Sequence, residues 1–192
     1  ALEPHLDEMI AAGVHILDIG AESTRPGAPP LTPQQEWQRL QSVLDHLKVK
    51  LQDDSLRPRV SIDTYHPEVA AKALDWGADI INDVSGLSSA EMQALARDSG
   101  TDWVAMHSIT VPTDSNHTLP EDCDPQQELE NWLTRQLETW DQAGLNLNRL
   151  MFDPGIGFGK NSLQSLQLLR TSGRFRQYGL RVLVGHSRKS YM

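Results

Sequence analysis

Short apolar runs alternate with amphipathic stretches along the chain, and six of the runs read as strands. They are VHILDIG (14–20), RVSIDT (59–64), DIINDVSG (79–86), WVAMHS (103–108), LMFDPGIG (150–157) and VLVGHSRKS (182–190). A strand buried on both faces of a parallel sheet is continuously apolar, so polar residues at its carboxyl end need a reason. Asp18, Asp63, Asn82, His107, Asp153 and Ser187 occupy those ends. Their common position predicts one shared active-site mouth.

The segments between the runs read as helices with marked ends. Gly13, Gly77, Gly100, Gly144 and Gly179 each stand where a helix stops before the next strand, and glycine accepts the left-handed cap conformation at little cost. Thr32, Pro33 and Gln35 supply a cap, a first-turn proline and a capping box, followed by Trp37, Leu40, Leu44 and Leu47 at helical spacing. Ser88 with Glu91 is expected to repeat the box. Pro67 and Pro125 open further helices, and Asn161 or Ser162 caps another.

Strand and helix in alternation imply a parallel sheet with right-handed crossovers. In a doubly wound sheet ligands gather at the switch point, whereas in a (β/α)8 barrel all strand ends converge on one mouth. Polar clusters on all six strand ends favour the α/β class with a (β/α)8 TIM barrel as its architecture. Such a barrel takes ~250 residues. The expectation for these 192 residues is therefore an incomplete barrel of about six β/α units, its first and last strands missing and both ends cut, forming a single domain over 1–192.

Composition narrows the chemistry. With 39% apolar and 22% charged residues the chain is an ordinary globular one. No apolar run approaches the ~18 residues of a membrane span, and a soluble, cytoplasmic protein is expected. The net charge of −9 disfavours a nucleic-acid partner. The single cysteine, Cys123, allows no internal disulfide, and the seven histidines show neither HExxH nor HxH, so no protein metal site is expected. GIGFGK at 155–160 is not a phosphate loop, because it lacks the GxxxxGK[ST] spacing and has Asn161 in place of the metal-binding hydroxyl.

Five stretches carry a resemblance: DIGAESTRPGA (18–28), SIDTYHPEVAAKAL (61–74), ADIINDVSG (78–86), MFDPGIGFGK (151–160) and GHSRKS (185–190). In this order, and across the whole chain, they resemble the dihydropteroate synthases of folate biosynthesis, a family targeted by sulfonamides. Two departures stand out. Ala21 takes the place of a usual second glycine, and HSITVPTDSNH follows Met106 where a shorter loop is common.

The resemblance implies a transferase that joins 6-hydroxymethyl-7,8-dihydropterin diphosphate to p-aminobenzoate and releases diphosphate. It implies a pterin slot made by Asp63, Asn82, Val84, Met106, Asp153, Phe158, Gly185 and Lys189. In that slot the Asp153 carboxylate accepts from the pterin 2-amino group and ring N–H, and the Lys189 ammonium donates to the carbonyl. Thr24, Arg25, Pro26 and Ser190 would face p-aminobenzoate and diphosphate. Arg25 is the anion contact, and the Ser190 backbone N–H at a helix amino end receives the aminobenzoate carboxylate. Lys189, Arg25 and Asp63 are the implied catalytic groups, with Asp18, His107 and Arg188 as supports.

Mg2+ is implied as a cofactor carried mainly by the substrate diphosphate, with any protein ligand outside this chain. The partners implied are the two small molecules, with neither nucleic acid nor membrane, and a homodimer for the parent protein. Two other readings stand beside this one: a non-catalytic pterin-binding fragment or paralogue, and a methyltetrahydrofolate-binding methyltransferase domain, which would not need TRPG and SRKS. The diphosphate groups absent from the chain lead to the expectation that residues 1–192 alone are poorly stable and weakly active or inactive.

Overall fold

The computed structural model describes residues 3–23, 29–52, 57–114 and 116–186. The strands are β1 (Ile16–Gly20), β2 (Arg59–Asp63), β3 (Ile80–Asp83), β4 (Asp102–Met106), β5 (Leu150–Asp153) and β6 (Arg181–Val182). The helices are α1 (Glu3–Ala11), α2 (Pro33–Lys50), α3 (Pro67–Trp76), α4 (Ala90–Asp98), α5 (Pro125–Gln142) and α6 (Ser162–Thr171). The strands form one sheet in the order β1-β2-β3-β4-β5-β6, every pair parallel. Chain order equals spatial order, so no switch point exists among these strands. This is the order of an incomplete (β/α)8 barrel and not that of a doubly wound sheet.

Local chemistry sets the element ends. Thr32 and Gln35 exchange side-chain and backbone hydrogen bonds as a full capping box on α2, and Asn161 with Gln164 does the same on α6. Gly77 ends α3 in the left-handed region at φ 105°. One expected start moves: α4 is capped by Ser89, whose hydroxyl accepts from the Met92 N–H, while the Ser88 hydroxyl bonds to Ser85. Glu91 then falls one position short of a capping box.

Strand alternation separates two apolar faces. Leu17, Ile19, Val60, Ile62, Ile81, Trp103 and Phe152 pack outward into the main core against Leu40, Leu44, Leu47, Val69, Leu133 and Trp140 of the helices. Ile80, Val104 and Met151 point the other way and form a second cluster with Leu183 packed against it. The second face is the barrel interior, as side chains along a strand alternate with a period of two.

The amino ends of the strands carry an ionic tie. Asp102 Oδ2 at the start of β4 accepts from Arg59 of β2 and Arg181 of β6, both at 2.9 Å. Desolvation alone would raise the Asp102 pKa, and the two guanidinium groups outweigh it and hold the carboxyl below its ordinary range. Contacts at this end serve stability, since barrel chemistry sits at the other.

Candidate functional site

The candidate pterin residues carried by the strands share the inner face of the sheet. Asn82, Met106, Asp153 and Gly185 lie two positions beyond Ile80, Val104, Met151 and Leu183, towards the carboxyl ends of their strands. Register makes two adjacent pairs of them, Asp63 with Asn82 and Met106 with Asp153, while Asn82 pairs with Val104 on its other side. Met106 and Val84 are buried and Phe158 is half-buried. Thr24, Arg25, Pro26, Arg188, Lys189 and Ser190 lie outside the described residues, as does Ser187.

Asp153 is only 6% exposed. Its Oδ1 accepts from the Gly155 N–H at 2.8 Å, closing the turn after β5, and its Oδ2 lies 3.7 Å from the position of a Cβ at Gly185. The carboxylate therefore caps a turn and faces the interior at once. A carboxylate oxygen has two lone pairs and can accept from more than one donor.

A group of acids gathers at the ends of β1 and β2. Asn82 Nδ2 donates to Asp18 Oδ2 at 3.0 Å. Burial pushes Asp63 well above the usual carboxylate range, and the negative charges of Asp18, Glu36, Asp83 and Glu22 push it the same way. Asp18 is also raised by desolvation, against hydrogen bonds from Ser61 and Asn82. Its residue nonetheless meets water, which tempers that rise. A protonated Asp63 can donate to a ring nitrogen as well as accept from one, a capacity that a plain carboxylate lacks.

Two arrangements were not anticipated from the sequence. Glu22, Glu36 and His66 each bring one ligand atom within 4.8 Å of the others. Tyr65 donates to Glu22 at 2.6 Å, Thr64 donates to Glu36 at 3.2 Å, and His66 Nε2 stands 3.3 Å from Glu22. An enclosed set with one nitrogen donor does not fit Mg2+, which takes oxygen ligands and retains several waters. In the second arrangement Lys160, buried beneath the GIGFGK loop, meets His107. Burial, and then the Lys160 charge, lowers His107 to about 2. An ammonium group only donates, so His107 Nδ1 is the acceptor and its ring proton sits on Nε2.

Glu36 gives a pH-dependent prediction. Burial, and the Glu22 charge beside it, raise its pKa from 4.5 to about 7. A raised acid binds its proton more tightly in the folded state, so the associated stability is full below pH 4.5 and is lost as pH rises through about 7. Glu36→Gln keeps an acceptor for Thr64 and removes the titration. It is expected to stabilise the fold by up to about 3 kcal/mol at pH 8 and by little at pH 4.5. Urea unfolding at the two pH values measures this, and an equal effect at both would refute the cause.

A groove of about 970 Å3 runs between α3 and α4, lined by Ala71, Leu74, Glu91 and Leu95. It lies on the helical outside of the sheet, away from the strand-end residues.

The chain matches the family described as Pterin binding enzyme over residues 2–192. It is 38% identical over 188 residues to the folate synthesis bifunctional protein of Chlamydia caviae, covering 97% of this chain and 42% of that protein. It is 35% identical over 186 residues to the dihydropteroate synthase of Escherichia coli K12, covering 97% and 64% respectively. Among solved structures, the dihydropteroate synthase of Anaplasma phagocytophilum with bound 6-hydroxymethylpterin-monophosphate superimposes with a TM-score of 0.90 at 35% identity, covering 98% of this chain and 74% of that one. The chain thus spans less than two thirds of both curated relatives.

Proposed function

The chain belongs to the pterin binding enzyme family, and from that premise we propose that its protein is a dihydropteroate synthase, condensing 6-hydroxymethyl-7,8-dihydropterin diphosphate with p-aminobenzoate to give 7,8-dihydropteroate and diphosphate. The observation that carries this reading is the two adjacent pairs Asp63–Asn82 and Met106–Asp153 on one inner face, with polar groups beside buried apolar ones. Pterin-sized ligands favour such slots, mostly apolar with a few placed polar groups. The Anaplasma relative holds a pterin monophosphate, and the Thermus thermophilus relative holds 4-aminobenzoate.

In this reading Asp153 accepts from the pterin 2-amino group and ring N–H, and Lys189 donates to the pterin carbonyl. Asp63 and Asn82 meet further ring nitrogens, while Val84, Met106, Phe158 and Gly185 form the walls. Thr24, Arg25, Pro26 and Ser190 take the aminobenzoate and diphosphate. The bond from the methylene carbon to the diphosphate oxygen breaks, the bond from the aniline nitrogen forms, and one N–H proton passes to water. Catalysis is positioning plus stabilisation of the leaving anion. Mg2+ would neutralise diphosphate charge, held by phosphate oxygens and water. The Glu22, Glu36 and His66 set does not fit it. A cytoplasmic homodimer is part of the same proposal.

The test is product formation by the whole protein. Dihydropteroate and diphosphate should appear in equal amounts from the two substrates, and a sulfonamide should compete with p-aminobenzoate. Pterin binding without diphosphate release would instead favour a binding paralogue. Methyl transfer from methyltetrahydrofolate would favour the methyltransferase reading.

A further inference from the structure

We infer that Lys160 is a positioning residue that holds the candidate pterin carboxylate Asp153 in place through the backbone on both of its sides; this rests on the pterin-site reading above. Lys160 is 7% exposed, and among the described residues its Nζ has four acceptors: Phe158 O at 2.9 Å, His107 Nδ1 at 2.9 Å, Gly155 O at 3.0 Å and His107 O at 3.2 Å. Each accepting residue leads to the site. The Gly155 N–H is the donor to Asp153 Oδ1. The His107 N–H donates to the Asp153 carbonyl at 2.9 Å. Phe158 is a proposed wall of the slot.

The loop needs such a centre. Gly155, Gly157 and Gly159 all take positive φ, so the segment follows neither a helical nor a strand ladder. Its carbonyls at 155 and 158 turn inward, and a buried carbonyl without a donor is costly. One ammonium with three protons supplies both and reaches across to β4. A buried charge is a poor device for stability alone, because a well-packed apolar side chain of similar volume is often as good. Its distinctive capacity is geometric, since it fixes two strand ends relative to one carboxylate. The GIGFGK sequence, which fails as a phosphate loop, has its use here.

The test replaces Lys160 by methionine in the whole protein and reads three quantities. Amide hydrogen exchange across 153–159 should rise about tenfold or more, and by a larger factor than in the strands away from the loop, where only the general loss of stability from the unsatisfied carbonyls is felt. The affinity for 6-hydroxymethylpterin monophosphate should fall about tenfold or more, as expected when a contact group is misplaced. KM for p-aminobenzoate should stay within about twofold of its native value, which a general loss of fold would not allow. If K160M does not fold, H107L removes one acceptor and should give smaller changes in the same direction. Unchanged exchange across 153–159 in the folded variant overturns the inference whatever the native protein binds. Failure of the native protein to bind the pterin would sink the functional reading instead, and the exchange result would still decide the role of Lys160.

Discussion

Asp153→Asn is expected to lower pterin affinity by about two orders of magnitude while the unfolding midpoint stays within a few degrees. The two halves of this expectation come from the two oxygens of one carboxylate. Oδ1 accepts the Gly155 N–H, and an asparagine Oδ1 can do the same, so the turn after β5 keeps its cap. Oδ2, near Gly185, becomes an NH2 group. The pterin edge proposed to bind there presents two donors side by side, and a donor facing a donor is repulsive. Charge-assisted hydrogen bonds contribute about 1.5–3 kcal/mol each, so losing one and weakening another predicts about 3 kcal/mol, or roughly a hundredfold. Calorimetric titration with 6-hydroxymethylpterin monophosphate reads this directly. Native-like affinity in a folded Asp153→Asn protein would remove the carboxylate from its proposed role.

Much of this geometry was legible in the sequence because it follows from local rules. Each of the six strands among the described residues overlaps one of the apolar runs, although β6 covers only Arg181–Val182 at the start of the run read at 182–190. The glycines at 13, 77, 100, 144 and 179 take the positive φ expected of helix ends. Alternation with a period of two explains why Asn82, Met106 and Asp153 share a face. The errors came where two local signals competed or where partners are distant in the chain. Ser88 and Ser89 are both good caps, and only the backbone decides between them. Glu36 left a readable trace, since it sits four residues before Leu40 on the same stripe as Leu44 and Leu47 and is as buried as they are. A carboxylate on an apolar stripe should prompt a search for its partners. Lys160 left a weaker one, because its acceptor His107 is 53 residues away and the sequence between them, which runs through α5 and β5, does not encode their approach.

Gly155→Ala is expected to destabilise the fold by about 3–5 kcal/mol, among the largest effects for a single methyl group. Two costs combine. At φ 62° the residue is left-handed, which costs alanine roughly 1–2 kcal/mol. A Cβ there would also lie on the His107 carbonyl oxygen and 3.2 Å from Met106 Cγ. That carbonyl belongs to the end of β4 and is held by Lys160, so it cannot turn aside without releasing the ammonium. Gly13→Ala separates the two costs, since Gly13 has φ 77° and a Cβ added to it would meet nothing within 4 Å. It should lose only the conformational part, about 1–2 kcal/mol. Chemical denaturation of the two variants side by side gives the difference, which belongs to the packing of the loop against β4. If Gly155→Ala were as mild as Gly13→Ala, β4 and the loop would not be locked together. The rigidity that Asp153 draws from that junction would then have no basis.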